Sequence, residues 1–151
     1  MTAKNLARAG IVCALLPLVA ACATSGPTFQ TAHVSEPPVA QDQARLYFYR
    51  LGNFVGFAVQ PAIKVNGVKV GEAVPGGYFY VDEPAGTYEI STSTETKEAI
   101  TTTVKPGEAR YVRFDISMGL FVGHVAPTLV WPDQGASEIA NLHYIGTSAT
   151  R

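Results

Sequence analysis

Ala62-Ile63-Lys64-Val65-Asn66-Gly67-Val68-Lys69-Val70 is the stretch that decides the fold class. Asn66-Gly67 supplies the two positive-φ residues of a type I′ turn, whose twist matches that of the strands it joins. Ile63 and Val65 before it, and Val68 and Val70 after it, alternate as a half-buried β-hairpin requires.

Strand patterning extends from this hairpin in both directions. Upstream, Arg45-Leu46-Tyr47-Phe48-Tyr49-Arg50 puts Leu46 and Phe48 on one face and the tyrosines on the other. Residues 51–61 lack strict alternation and read as an apolar loop. Downstream, Tyr78–Val81 forms a strand, Glu83-Pro84-Ala85-Gly86 a turn, and Thr87–Thr94 a further strand with Tyr88 and Ile90 on one face. Glu98–Lys105 aligns Ile100, Thr102 and Val104. Lys105-Pro106-Gly107-Glu108 then turns into Arg110–Ile116, where Val112, Phe114 and Ile116 alternate with Tyr111, Arg113 and Asp115. A last strand pair is expected at Leu120–Val125 and Thr128–Trp131. Short strands separated by Pro/Gly turns indicate an all-β fold, a small antiparallel β-sandwich of the Ig-like or PEGA-like kind, over residues 45–145. One short C-terminal helix is expected after Asp133 as N-cap, with Ala136, Ile139, Ala140 and Tyr144 on one face and Gly146 at its end. Residues 146–151 read as a frayed tail.

The N-terminus is of a different kind. Lys4 and Arg8 precede the apolar run Ala9–Leu18, about ten residues and too short for a bilayer span of roughly 20. It closes on Val19-Ala20-Ala21-Cys22, small residues before a cysteine, which is secretory-signal architecture over residues 1–21. This ending resembles the bacterial lipoprotein signal. The resemblance implies lipid on the Cys22 thiol (diacylglyceryl, with palmitate-type chains) and cleavage that makes Cys22 the new N-terminus. By the same resemblance, Ala23 in place of Asp implies the outer membrane, facing the periplasm. Residues 22–44, with Pro27, Pro37 and Pro38 and no apolar period, are expected to be the lipidated Cys and a tether with a reach on the order of 25 Å.

Removal of residues 1–21 from the 151 leaves 130, enough for one domain with a real core. Lys4 and Arg8 leave with the leader, so 9 basic residues face 12 acidic ones, a net charge of −3. No basic cluster survives, which argues against nucleic acid as a partner. Cys13 leaves with the leader and Cys22 is acylated, so no disulfide is expected within the domain.

Arg45–Arg50, the hairpin from Val65 to Gly71 and Gly77-Tyr78-Phe79-Tyr80-Val81-Asp82-Glu83-Pro84-Ala85-Gly86 together resemble a bacterial lipoprotein family catalogued only as a domain of unknown function. Pro106-Gly107-Glu108, Tyr111-Val112-Arg113 and residues 119–123 fit the same pattern. The likeness spans about residues 44–145. It implies a small β-sandwich and an envelope location, and carries no catalytic residue over.

Residue chemistry points away from catalysis. His33, His124 and His143 lack metal-site spacing, so neither a metal nor a cofactor is expected. The serines lack a nucleophile elbow, and no catalytic residue is assigned. A hydrolase built around His124 and Asp115 is the most distant alternative. The sharper feature is aromatic: Tyr47, Tyr49, Tyr78, Tyr80 and Tyr111, with Arg50 and Arg113 beside them, make a candidate face for sugars or peptides. The competing expectation is that these tyrosines cover the second face of a twice-buried sheet. Phe54-Val55-Gly56 and Phe121-Val122-Gly123 are a second candidate, either core or a patch for a protein or lipid surface. The reading is a lipid-anchored, non-catalytic binding or structural module, with the membrane and an envelope protein or peptidoglycan as partners. The alternative is a carbohydrate- or peptidoglycan-binding module using the Tyr/Arg face.

Overall fold

The computed structural model describes residues 24, 26–53, 56–94, 96–117 and 123–146. The leader, Cys22, Phe54-Val55, residues 118–122 and the tail beyond Gly146 lie outside them. So the lipidation site and most of the Phe-Val-Gly pair are not described.

Among the described residues nine strands form two sheets: β1 Gln43–Tyr49, β2 Ala62–Val65, β3 Val68–Glu72, β4 Gly77–Pro84, β5 Gly86–Ser93, β6 Lys97–Val104, β7 Ala109–Ser117, β8 His124–Val130 and β9 His143–Tyr144. One sheet has the order β8-β7-β1-β4-β9 and the other β3-β2-β5-β6. The expected β-sandwich is the observed fold. At its hairpin, Asn66 (φ 49°) and Gly67 (φ 82°) take the positive φ that the turn demands. Pro84-Ala85-Gly86 is the corner at which the chain leaves the first sheet for the second. Most pairings are antiparallel, but β1 lies parallel to β7, and β4 parallel to β9. The chain visits the second sheet before returning, which lets β7 add to the free side of β1 in the same direction.

The core between the sheets follows the alternation. Leu46, Phe48, Phe79, Val112, Phe114 and Val125 from the first sheet meet Ile63, Val65, Val70, Ile90 and Val104 from the second. The Phe48 ring lies 5.3 Å from Phe79 and 6.2 Å from Phe114. β1 is the central strand and its residues Ala44–Tyr49 are all buried, which explains large side chains on both of its faces.

Three sequence expectations need correction. In place of separate strands at 120–125 and 128–131, the described residues 124–130 form one strand, β8, which runs straight through Pro127. Residues 120–122 of the first expected strand lie outside the described residues. β8 is an edge strand, where a missing N–H costs no ladder bond. The helix, α2, covers Pro132–Ile139 with Trp131 as N-cap and Pro in its first turn. Asp133 is inside that first turn, where its charge favours the helix N-terminus. His143 and Tyr144 are not helical but form β9. Finally, residues 26–36 are not a free tether. Helix α1 (Phe29–Ala32) and a 3₁₀ turn (His33–Ser35) pack on the first sheet. Phe29 N donates to Leu142 O and Tyr144 N to Pro27 O, with Thr28 bridged to His143. The physical reason is one buried ring, Phe29, together with backbone pairing along the β9 edge. Neither leaves an apolar period in the sequence.

Candidate functional site

Alternation assigns Tyr47, Tyr49, Tyr78, Tyr80, Tyr111 and Arg113 to the outer face of the first sheet, and the structure brings all of them together there. It also covers them. Phe29, Ile139 and Leu142 from the two chain ends pack on Tyr47, Tyr49, Tyr78 and Tyr111 as a second core. These four tyrosines are at most 7 % exposed, so they do not offer an open platform. Tyr47 stacks on Tyr111 at 4.9 Å, and Phe29 meets Tyr47 and Tyr78 edge-on at 5.8 and 5.4 Å. Gly135 lets α2 approach: a Cβ there would stand 2.4 Å from Tyr111 Cγ.

Each covering segment is locked by one carboxylate. Glu36 Oε2 accepts from Tyr47 OH (2.7 Å), His33 Nδ1 (2.9 Å) and Arg45 Nη1 (3.1 Å). Arg45 is held in turn by a two-pronged pair with Asp82, at 2.7 and 2.8 Å, and lies 4.1 Å over the Tyr80 ring. On α2, Glu138 accepts from Tyr49 OH (2.6 Å), Gln134 Nε2 (2.7 Å) and Arg113 Nη1 (2.9 Å). Arg113 Nε also binds Asp115 at 2.8 Å. Charge-assisted bonds of this kind fix geometry more firmly than neutral ones.

Titration follows from this arrangement. Burial, then the hydrogen bond to a carboxylate, pushes the Tyr47 and Tyr49 phenols up from their ordinary 10. Burial does the same to Tyr78, with the Glu36 charge adding to it. Asp82 above all holds the Arg45 guanidinium charged, and Asp115 does so for Arg113. For Glu138, burial pulls upward, but the bonds from Tyr49, Gln134 and Arg113 outweigh it and leave the carboxyl below its usual value.

Arg50 does not join this face. Its side chain is fully buried and donates to the carbonyls of Gly56 (2.9 Å), Val59 and Ala73 (3.1 Å). Burial without a carboxylate lowers its pKa. It works as a staple, tying the 56–59 loop and the end of β3 to the end of β1. Gly56 and Gly123, the last residues of the two Phe-Val-Gly tripeptides, both abut the Ile116 side chain: a Cβ on either would stand within 2.9 Å of Ile116 Cδ1.

A cavity opens on the tyrosine face among the described residues. It measures about 150 Å³ and is lined by Ala32, Ser35, Glu36, Tyr80 and Tyr144. Glu36 Oε1 and Tyr78 OH are buried without a hydrogen-bond partner. Glu36, Arg45, Tyr144 and Glu138 were not singled out from sequence. Glu36 lies in a stretch without periodicity, and Glu138 shows itself only as an acid on the helix that must cover Tyr49.

The histidines are dispersed. His33 stacks on Phe29 at 4.7 Å, and His143 Nδ1 donates to Gly26 O at 2.7 Å. His124 lies on the opposite edge strand from His143, 3.2 Å from Thr96 Oγ1, so the two do not meet. Among the described residues no group of three His, Cys, Asp or Glu side chains could hold a metal ion. No helix among them is long and apolar enough to cross a membrane.

No curated protein and no solved structure matches the chain. A family model described as "Protein of unknown function (DUF2846)" matches residues 40–125, from the start of β1 into β8. With more than half of its length matched, the chain belongs to the DUF2846 family of proteins of unknown function.

Proposed function

We propose that this protein is a lipoprotein of the cell envelope, anchored through lipid on Cys22 at the outer membrane and facing the periplasm. Its sandwich is a non-catalytic module that binds an envelope partner or supports an assembly. The observation that carries this reading is the Lys4–Cys22 leader, which ends on Val19-Ala20-Ala21-Cys22 only four residues before Gly26, where the chain joins the first sheet. The non-catalytic part draws support from how the polar groups are used: Glu36, Asp82 and Glu138 each hold an arginine or tyrosine that packs the fold. Metabolic labelling with a fatty acid tests the anchor. The wild type takes label and Cys22→Ser does not; label on the Cys22→Ser protein refutes the assignment.

A second reading, a carbohydrate or peptidoglycan module, is favoured by the cavity beside Tyr80 and Tyr144, where Glu36 adds an acceptor to two rings. Of the seven residues of the original candidate face, only Tyr80 lines it. On this reading Tyr80→Ala abolishes retention on purified peptidoglycan while thermal stability changes little. No retention of the wild type rejects it.

A further inference from the structure

We infer that the anchor presses the sandwich against the bilayer by one end, formed by Thr24, the loop 51–53 and the turn 74–76, with Leu51 and Phe57 facing lipid. The inference rests on the reading of Cys22 as the acylated residue. Its first support is chain length. A free tether of residues 22–44 would reach on the order of 25 Å. Instead the chain is already fixed at Gly26, whose carbonyl accepts from His143 Nδ1 at 2.7 Å and whose Cα packs against Tyr144, where a Cβ would fall 1.8 Å from the carbonyl oxygen. Thr24 is in place two residues earlier: its Oγ1 lies 3.5 Å from where a Cβ on Gly76 would be, with Gly52 Cα 3.9 Å from the same point. Two residues extend at most ~7 Å, so an acylated Cys22 keeps this corner of the domain within ~7 Å of the anchored residue.

The second support is the character of that end. Leu51 and Phe57 are 37 % and 44 % exposed. They sit on the loop that the buried Arg50 staples to Gly56, Val59 and Ala73, and Arg50 O also accepts from Gly76 N at 3.0 Å. One clamp therefore holds the loop that carries Leu51 and Phe57 at the end of β1, where Gly52 and Thr24 both approach Gly76. No Asp, Glu, Lys or Arg occurs between Arg50 and Lys64, between Glu72 and Asp82, or between Asp115 and Asp133. The opposite end carries Asp42, Glu83, Lys105, Glu108 and Arg110. The two loops beside Thr24 are thus uncharged, whereas the charged Lys97-Glu98 hairpin at the same end stands by His124 of β8, on the other side of the first sheet from β9. An uncharged corner at the anchor is what a bilayer surface accepts. Two side chains alone bind lipid marginally, but a tether this short gives them a high effective concentration at the surface.

The test uses the full-length, processed protein in phosphatidylethanolamine/phosphatidylglycerol vesicles whose acyl chains carry bromine, a contact quencher of tryptophan. Trp131, the one native tryptophan, lies about five strand residues further along, ~16 Å from the level of Leu51. Leu51→Trp and Phe57→Trp, each with Trp131→Phe, are expected to be quenched severalfold more than native Trp131. A Gly/Ser insert of about 20 residues after Ala23 is expected to bring them down to the Trp131 level. Equal quenching at 51, 57 and 131 in protein whose mass shows acylated Cys22 overturns the inference alone. Quenching that the insert leaves unchanged overturns the short span as its cause. A mass without lipid on Cys22 removes the anchoring reading and this inference with it.

Discussion

Truncating Phe29 to alanine tests whether the N-terminal segment is part of the folded domain. Its ring is 8 % exposed, stacks on His33 and meets Tyr47 and Tyr78 edge-on. Phe→Ala in a core costs about 3–5 kcal/mol. The low end applies here, because a segment held by one ring can peel away and let Tyr47 and Tyr78 relax into water. The expected loss is therefore ~3 kcal/mol, or a fall in Tm on the order of 10 °C for a domain of this size. Val34→Ala is the control, since Val34 lies on the same segment and is 86 % exposed. It should move stability by no more than ~0.5 kcal/mol. The assay is urea unfolding of the lipid-free chain, followed by near-ultraviolet circular dichroism of the tyrosines. If Phe29→Ala unfolds with the Val34→Ala protein, the segment is a tether after all.

Three further outcomes follow from the outer face. Glu138 is held below its ordinary 4.5, so the unfolded state binds its proton more readily; the stability it contributes is present above pH 4.5 and lost as pH falls through the folded value. Acid titration should loosen α2 first, and Glu138→Gln should flatten that limb. The buried phenols of Tyr47, Tyr49 and Tyr78 are raised above 10, so they favour folding below pH 10 and cease to do so as pH rises beyond it. Beyond what the half-buried Tyr80, Tyr88 and Tyr144 contribute, tyrosinate absorbance should then appear together with unfolding, and titration of all seven tyrosines in the folded protein would contradict the packing. Gly135→Ala should destabilise by about 1–3 kcal/mol in thermal melts, because its Cβ would meet Tyr111 Cγ at 2.4 Å. Helix propensity alone would give the opposite sign, a gain of about 1 kcal/mol.

Much of the sandwich is legible in the sequence, because burial on one face forces alternation. Asn66-Gly67 fixes its turn, and Leu46/Phe48 against Tyr47/Tyr49 assigns both faces of β1 correctly. What covers the tyrosines is not legible. The N-terminal segment docks through a single ring and a single carboxylate, Phe29 and Glu36, and neither produces a period. β9 is two residues joined by backbone bonds, so its side chains carry no strand signature, and Tyr144 falls by chance at helical spacing from Ile139 and Ala140. The expected strand pair divides at residues 126–127, because sequence does not reveal that β8 lies at an edge, where Pro127 is tolerated. Gly135 reads as a weakness in the helix, whereas the close approach to Tyr111 requires it. Of the candidate ligand face, the five tyrosines and Arg113 lie on the side that alternation assigns them, four of the tyrosines are buried there, and Arg50 lies elsewhere. The carboxylates that organise it became visible only with the fold.

The most direct test of the central claim is the intact mass of the mature protein extracted from envelopes. The proposal expects a chain of residues 22–151 carrying a diacylglyceryl group, with fragment ions that localise it to Cys22. A mature chain that begins elsewhere, or one that begins at Cys22 with a free thiol, would contradict it.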